Sequence, residues 1–410
     1  MVHHTMKIRS NSAPSASSSN RVMGQQSVGR SVRWLVAAAI VGSLLACAGA
    51  PVVMPPSPPQ PAPGVHDGAP APAVQQRARS RWVAVDWRDL PGWGQDALHE
   101  AWNALLRGCE KPAAGFEVVC AEARPLAIAS AAEQQAWMER RLQPYRVTEA
   151  DGRAPEGLLT GYYEPILEAS RQPTATQRVP LFAPPAGLPA ASSGQRWYSR
   201  QQIDSLPEAQ AALRGRAIAW LADPIDALVL QIQGSGRVNI TEPDGRVSAV
   251  RLAFAGHNGH PYQSVGRWLL DQGAIREGSW DGIRAWARQN PQRLNEMLWA
   301  NPRTVFFREE ALSEFDARFG PRGAQGVPLT PGRSIAVDPL SIPYGTPVWL
   351  ATQGAALNTQ RLVLAQDTGG AIVGAVRADL FTGWGGWNDE PYRLAAMLKQ
   401  PLQMWVLWPK

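Results

Sequence analysis

Residues 362–372 read Leu362-Val-Leu-Ala-Gln-Asp367-Thr-Gly-Gly-Ala-Ile372, so an unbroken apolar run leads directly to an acid and two glycines. Four apolar residues in a row predict a buried strand, which would end at Asp367. Gly369 and Gly370 permit positive φ and a close approach of a ligand to the backbone. The local sequence fits two roles for Asp367: a catalytic carboxylate at a strand end, or an acid that hydrogen-bonds its own turn.

A second acid, Asp379, lies twelve residues further on and is followed by a glycine-rich loop, Phe381-Thr-Gly-Trp-Gly-Gly-Trp387. The chain contains 17 tryptophans and only 8 phenylalanines, and an indole ring is a good platform for the C–H face of a sugar. An acid beside Trp384 and Trp387 therefore indicates a glycan groove, although core packing explains these tryptophans equally well. Helical spacing with aliphatic neighbours predicts core positions for three others, Trp102, Trp268 and Trp286.

The N-terminal region has the pattern of a secretory signal. Five basic residues and no acidic ones precede an apolar segment, Trp34–Ala46, that ends at Cys47. About a dozen apolar residues are too few to span a bilayer as a stable helix. Leu44-Leu-Ala-Cys47 resembles a bacterial lipobox, so we expect residues 1–46 to be removed and Cys47 to carry a lipid. An ordinary cleavable signal is the alternative.

A lipid on Cys47 would anchor the protein to a membrane surface without spanning the membrane. Because Ala48, and not an aspartate, follows the cysteine, we expect the periplasmic face of the outer membrane of a Gram-negative bacterium. Residues 47–80 are rich in Pro and Ala, which predicts an extended linker. About 330 residues remain for folded structure, enough for two domains.

The charge balance excludes one class of partner. Removal of residues 1–46 takes away five positive charges and no negative ones, which lowers the formal net charge from +6 to +1. A protein that binds nucleic acid needs a basic patch in its folded part, so nucleic acid is not expected as a partner. Outside the lipid site the cysteines are Cys109 and Cys120. In an exported protein such a pair favours a disulfide over two buried thiols.

Periodicity predicts short helices and strands in the folded part. Helical spacing occurs around residues 98–106, 133–142, 265–269, 283–286 and 294–298. Strands are predicted at residues 333–338, 347–350 and 157–165, the last of which would be stopped by Pro165. Residues 178–255 look strand-like, with the clearest runs at 218–221 and 227–233 and a hairpin turn at 242–245.

Three further motifs have weaker functional meanings. Gln231-Ile-Gln-Gly-Ser-Gly236 lacks the lysine of a P-loop and is predicted to be a tight turn after a strand. His257 and His260 lie three residues apart but lack a convincing third ligand, so no metal site is predicted. Asp367-Thr-Gly is also the signature of aspartic peptidases, which need two aspartates that share a proton. Because the triplet occurs once, a peptidase would have to be a symmetric dimer.

Five stretches, taken together, resemble the membrane-bound lytic transglycosylase A family of peptidoglycan enzymes. They are Thr160–Pro165, Gln231–Gly236, Ala255–Arg267, Gly326–Pro339 with Ile342–Pro347, and Gln366–Ile372. The resemblance implies a mainly β fold with peripheral helices. A double-psi β-barrel domain would be formed by residues 81–165 and 301–410 and interrupted by a second, smaller β-barrel domain at 166–300. The glycan would lie in the groove between the two domains.

The resemblance also implies that Asp367 is the catalytic acid and that no cofactor is required. Asp338 and Asp379 are expected to support it, and the alternatives are a turn acid before Pro339 for Asp338 and a surface acid for Asp379. It suggests glycan contacts from Thr160, Gly161, Tyr162, Tyr163, Gln233, Gly234, Ser235, Gly236 and Trp384. The implied reaction cleaves the β-1,4 bond between N-acetylmuramic acid and N-acetylglucosamine and forms 1,6-anhydromuramic acid, with one aspartate as acid and then as base. A glycan-binding lipoprotein without activity is the alternative from another functional class. The sequence identifies no synthase or lipoprotein partner.

Overall fold

One long strand connects two groups of strands in this protein, whose structure, a computed structural model, describes residues 73–410. The strands are β1 Val74–Gln76, β2 Ser80–Ala84, β3 Leu142–Glu149, β4 Leu158–Ser170, β5 Val179–Phe182, β6 Ala217–Leu221, β7 Ser235–Thr241, β8 Val247–His257, β9 Val305–Ala311, β10 Ser334–Val337, β11 Pro347–Gln353, β12 Asn358–Asp367, β13 Arg377–Gly385 and β14 Lys399–Pro409. The connecting strand is β4.

Ten α-helices lie between and around the strands of the described residues. They are α1 Leu98–Gly108, α2 Glu117–Ala123, α3 Ala131–Arg141, α4 Arg200–Ser205, α5 Pro207–Ala212, α6 Pro224–Gln233, α7 Val265–Asp271, α8 Trp280–Gln289, α9 Leu294–Trp299 and α10 Glu390–Met397. Short 3₁₀ helices occur at Trp87–Asp89, Pro125–Ile128, Ala191–Ser193, Pro291–Arg293 and Asp316–Arg318. None of the helices in residues 73–410 has the length and apolar character needed to cross a bilayer.

The pairing of β4 changes along its length. Its first part pairs in parallel with β13, from Leu158 opposite Arg377 to Pro165 opposite Gly385. Its second part pairs in parallel with β7, starting with Ile166 opposite Arg237. The first group runs in the order β1-β2-β3-β14-β11-β12-β10-β13-β4, and the second continues through β7, β8 and β9, with β6 pairing β4 and β5. The mainly β class is thus confirmed.

The apolar run that ends at Asp367 is a central strand, because β12 lies between β11 and β10. Leu362, Val363, Leu364 and Ala365 are fully buried. Burial on both faces explains why the run is continuous and does not alternate. Two of the predicted core tryptophans, Trp102 and Trp286, are buried, and Trp268 packs against the same cluster as Trp286.

Several predicted elements were wrong. Residues 227–233 form most of α6 and not a strand, since strong helix signals flank them. The Asp223 side chain accepts a hydrogen bond from the Ile225 amide (2.8 Å), Pro224 opens the helix, and Gly234 ends it with φ 83°. The strand expected to stop at Pro165 continues as β4 to Ser170. Pro165 lies where β4 changes partner, a position at which a missing N–H donor is tolerated.

The start of the folded part also differs from the expected linker at 47–80. β1 lies inside that range and pairs antiparallel with β2, so Val74 faces Val83. A three-residue strand is too short to produce a recognisable alternation. The predicted signal peptide, Cys47 and the linker before residue 73 lie outside the described residues. Within them, Cys109 and Cys120 form a disulfide that links the end of α1 to α2. The predicted domain boundaries stay a prediction.

Candidate active site

Asp367 stands at the end of β12 with protein donors on both carboxylate oxygens. The Tyr162 hydroxyl donates to Oδ2 (2.8 Å), and the Ala324 amide donates to Oδ1 (2.9 Å). Burial raises the pKa of Asp367, against the opposing effect of hydrogen bonds from Tyr162, Thr368 and Ala324. An acid with a raised pKa can hold a proton closer to neutral pH and deliver it to a substrate.

The approach of Ala324 to Asp367 depends on a glycine. A Cβ added to Gly323 would lie 2.4 Å from the Gln366 carbonyl oxygen and 3.2 Å from Cβ of Asp367. A side chain at position 323 would therefore push the 323–324 segment away from the carboxylate. No local pattern in the sequence marks this segment as part of the site.

Asp379 on β13 is the second partly buried acid of the site. The Thr160 hydroxyl donates to its Oδ1 (2.5 Å), and Nη2 of Arg377 donates to the Thr160 oxygen (2.9 Å). Burial is the largest cause that raises the pKa of Asp379 to about 6, and the charge of Asp367 adds to it. The Thr160 hydrogen bond and the charge of Arg377 act in the opposite direction. The alternative that Asp379 is a surface acid is wrong.

The alternation of β4 explains which of its residues reach the two acids. Thr160 and Tyr162 are two residues apart and share one face of the strand. Gly161 and Tyr163 point to the other face, which α10 covers. A Cβ on Gly161 would lie 2.8 Å from Cα of Ala395. Tyr163 is buried against the Tyr392 ring, with centroids 5.5 Å apart. Gly161 and Tyr163 therefore face α10 and not Asp367, and their expected glycan contacts stay a prediction.

The turn at residues 233–236 makes contacts within the protein, and its expected glycan contacts stay a prediction. Oε1 of Gln233 accepts a hydrogen bond from the Tyr163 amide (3.0 Å), and Gly234 ends α6. Ser235 is buried at the start of β7. A Cβ on Gly236 would lie 2.4 Å from Cδ1 of Leu230, so this glycine allows α6 to pack on β7. These residues are explained by the junction of α6, β7 and β4.

Two other predicted site residues contact protein groups. Asp338 is buried and accepts hydrogen bonds from the amides of Leu340 (3.0 Å) and Gly374 (2.9 Å), so it stabilises a loop, as the turn-acid alternative predicts. The guanidinium carbon of Arg237 lies over the Trp384 ring, 3.9 Å from the ring centroid. Trp387 stacks on Tyr392 at 4.3 Å.

The two glycines after Asp367 do not have the expected positive φ. In this loop the positive-φ glycine is Gly374, at 128°. The missing side chain of Gly370 provides space instead. A Cβ there would lie 2.8 Å from Nη1 of Arg303, which comes from the segment before β9.

A buried ion-pair network beside the site was not predicted from the sequence. Glu164 is 1% exposed, and its oxygens bind Nε of Arg237 (2.9 Å) and Nε of Arg251 (2.6 Å). Both guanidinium groups also donate to the Phe319 carbonyl, at 3.0 and 2.7 Å. The network thus connects β4, β7 and β8 to the segment that leads to Ala324. Glu164 belongs to the motif Thr160–Pro165, which resembles the family, but neither Arg237 nor Arg251 was predicted as a site residue.

The two histidines of the 257–260 motif interact with the backbone. Nδ1 of His257 accepts a hydrogen bond from the Gly259 amide (2.9 Å), and Nε2 of His260 lies 2.9 Å from the Trp197 carbonyl. Among residues 73–410, no group of three His, Cys, Asp or Glu side chains could hold a metal ion.

Comparisons with known proteins identify related sequences and structures. Residues 158–308 match the family described as the MltA specific insert domain, and residues 333–408 match the 3D domain. The membrane-bound lytic murein transglycosylase A of Vibrio cholerae is 30% identical over 240 residues, which cover 56% of this chain and 60% of that protein. The aligned part of the chain thus spans less than two thirds of this curated relative.

Two solved structures are similar over most of the chain. The lytic transglycosylase LtgG of Burkholderia pseudomallei is 42% identical with a TM-score of 0.54, covering 84% of this chain and 99% of that one. MltA of Neisseria gonorrhoeae is 30% identical with a TM-score of 0.66, covering 83% and 96%. The fold class is confirmed, because the 3D domain is a double-psi β-barrel and β10 to β14 lie in or overlap the region that matches it.

Proposed function

Because the chain belongs to the membrane-bound lytic transglycosylase A family, we propose that it is a peptidoglycan lytic transglycosylase. It cleaves the β-1,4 bond between N-acetylmuramic acid and N-acetylglucosamine and leaves a 1,6-anhydromuramic acid end. The observation that carries this proposal is the partly buried Asp367, whose pKa is raised by burial and which Tyr162 and Ala324 hold by hydrogen bonds.

In the first step, protonated Asp367 donates its proton to the glycosidic oxygen, and the bond from that oxygen to C1 of the muramyl residue breaks. In the second step, the Asp367 carboxylate accepts the proton of the muramyl C6 hydroxyl while the C6 oxygen bonds to C1. The proton count balances, since the aspartate ends protonated as it began. One carboxyl group therefore serves both steps, whereas a hydrolytic glycosidase ordinarily needs two.

Tyr162 keeps Asp367 oriented through both steps. Burial, and then the charge of Asp367, raise the pKa of Tyr162 well above its ordinary value, so the phenol stays protonated. Its hydroxyl and the Ala324 amide each occupy one position on a carboxylate oxygen, and each oxygen retains a second lone pair for proton transfer. The charge of Asp367 contributes, after burial, to the raised pKa of Asp379, so the ionisation of the two acids is coupled.

The lipid attachment of Cys47 and the periplasmic face of the outer membrane are part of the same proposal. A lipid anchor would hold the enzyme beside the peptidoglycan layer, and the Pro-rich residues that follow would act as the spacer. The names of the relatives, which describe membrane-bound murein transglycosylases, support this location.

The test is replacement of Asp367 with Asn, which cannot donate or accept the proton in the working pH range. We expect turnover of purified sacculi to fall at least about a thousandfold, within the range for general acid–base groups. Glycan binding and the melting temperature should change little. Asp244→Asn, in the exposed turn between β7 and β8, is the matched control and should retain full activity.

Mass spectrometry of the products decides the reaction type. Wild-type digests should contain muropeptides lighter by one water than hydrolytic products and without an end that borohydride reduces. Reducible muramic acid ends as the main product would mean that water is the nucleophile, with Asp379 as the second carboxylate. Absence of any released muropeptide would favour the glycan-binding lipoprotein.

A further inference from the structure

Arg303 offers two unpaired nitrogens next to the loop that follows Asp367. Its Nη1 is close enough to Gly370 that an added Cβ there would lie 2.8 Å away. Its Nε donates to the His260 carbonyl (2.8 Å). Within residues 73–410, Nη1 and Nη2 have no hydrogen-bond acceptor, and no carboxylate lies within ion-pair distance of them. The fork of the guanidinium is therefore available to a ligand.

The backbone of Arg303 is held rigidly. The side chain of buried Asn301 accepts a hydrogen bond from the Arg303 amide (3.3 Å), and Nη2 of Arg200 donates to the Arg303 carbonyl (2.5 Å). Asn258, also buried, donates to the Pro302 carbonyl (2.8 Å) and accepts from the Thr304 amide (3.0 Å). Both flanking peptides are thus fixed, and the Nε contact fixes the direction of the side chain. Such preorganisation lowers the entropy cost of binding.

The charge of Arg303 also lacks compensation from its surroundings. Burial lowers the pKa of its guanidinium group, and its positive charge contributes, after burial, to the lowered pKa of His257. Other arginines near the site have partners: Arg377 binds Thr160 and backbone carbonyls, and Arg237 binds Glu164. A partly buried cation without an anion is unfavourable unless a ligand supplies one.

This proposal rests on the proposed function: we propose that Arg303 is a specificity-determining residue that binds a carboxylate of the lactyl substituent of the muramyl residue or of the stem peptide attached to it. The two free nitrogens match the two oxygens of a carboxylate. N-Acetylglucosamine carries no such group, whereas muramic acid carries a lactyl ether that ends in a carboxyl. In strands without peptides this lactyl carboxylate is free, and in strands with peptides the stem peptide supplies carboxylates. Gly370 is three residues from Asp367, so this contact lies on the loop that directly follows the acid.

The test separates binding from chemistry by measuring the affinity of the Asp367→Asn protein with and without Arg303→Gln. Three probes are used: peptide-bearing glycan strands, amidase-treated strands with free lactyl groups, and an N-acetylglucosamine hexamer without carboxylates. Loss of a charge-assisted hydrogen-bonded pair should weaken binding of at least one carboxylate-bearing probe by about tenfold to a hundredfold. The hexamer should bind unchanged. The probe that loses affinity identifies the source of the carboxylate.

With Asp367 intact, Arg303→Gln should raise KM for that substrate and leave kcat and its pH profile unchanged. This is the result expected for a contact that is equally strong in the substrate complex and in the transition state. Arg267→Gln, an exposed arginine paired with Asp271, is the charge-matched control and should change nothing. Arg303→Lys retains the charge without the fork and replaces Arg303→Gln if the latter does not fold.

Unchanged affinity for all three probes, or an equal loss that includes the hexamer, would overturn the role of Arg303. Because these binding measurements use a protein without catalytic activity, their result does not depend on the reaction type. Failure of the wild-type protein to release anhydro products would instead refute the proposed function.

Discussion

Replacing Asp379 with Asn should remove a pH-dependent loss of stability from the folded protein. Asparagine is nearly isosteric, and its Oδ1 can still accept the Thr160 hydroxyl that contacts Asp379 in the structure. It cannot ionise, so the variant isolates the cost of charging a carboxyl group at this position. The pKa of Asp379 is raised from 3.8 to about 6, with burial as the largest cause.

The sign follows from the raised pKa. The folded state holds the Asp379 proton more tightly than the unfolded chain, so this group's contribution to stability is full below about pH 4 and is lost as pH rises through about 6. At 1.36 kcal/mol per pH unit, the difference between 3.8 and about 6 corresponds to about 3 kcal/mol. The free energy of unfolding of the wild type minus that of Asp379→Asn should therefore fall by about 3 kcal/mol from acidic to neutral pH.

Urea unfolding of both proteins, followed by tryptophan fluorescence, measures this difference at about pH 3 and about pH 7.5, on either side of the transition. Asp244→Asn is a control with the opposite sign, because the hydrogen bonds of Arg246 lower the pKa of the exposed Asp244. If the free energies of unfolding of the wild type and of Asp379→Asn differ by the same amount at the two pH values, the reasoning is refuted. Activity gives a second measurement, since loss of the Asp379 charge should move the alkaline limb of the pH profile to lower pH.

Two further predictions concern the buried ion pairs of Glu164 and the lipid attachment at Cys47. Glu164→Gln leaves the guanidinium groups of Arg237 and Arg251 buried without their carboxylate and should lower the free energy of unfolding by about 3–5 kcal/mol. A loss below about 1 kcal/mol in urea unfolding would mean that the arginines find other partners. Cys47→Ala should yield a soluble periplasmic protein released by osmotic shock. If this variant still fractionates with membranes, a lipid on Cys47 is not the anchor.

The sequence predicted those parts of the site that depend on one strand. The run from Leu362 to Ala365 is apolar because β12 is buried on both sides, and that pattern locates Asp367 at the strand's end. Prediction from the sequence failed where a strand and a helix have the same apolar pattern. Residues 227–233 are apolar enough for a buried strand or a buried helix, and here Asp223, Pro224 and Gly234 decided in favour of the helix.

Contacts between distant segments could not be predicted from local patterns. Glu164 meets Arg237 and Arg251 only because β4 and β7 pair in parallel and β8 follows β7. Arg303 reaches the loop at Gly370 from a segment 67 positions earlier in the chain. A family motif also names consecutive residues, whereas a strand divides them between two faces. Gly161 and Tyr163 were assigned to the glycan for this reason, although they pack under α10 and beside Tyr392.

One face of β4 therefore organises the whole site. Its residues in phase are Thr160, Tyr162 and Glu164, and each contacts a different charged partner: Asp379, Asp367 and the arginine pair. The arginines in turn bind the Phe319 carbonyl, in the segment whose Ala324 amide returns to Asp367. A shift of β4 by one residue would turn all three side chains away from these partners at once. The parallel pairing with β13 and β7 thus fixes the positions from which Thr160, Tyr162 and Glu164 reach these partners.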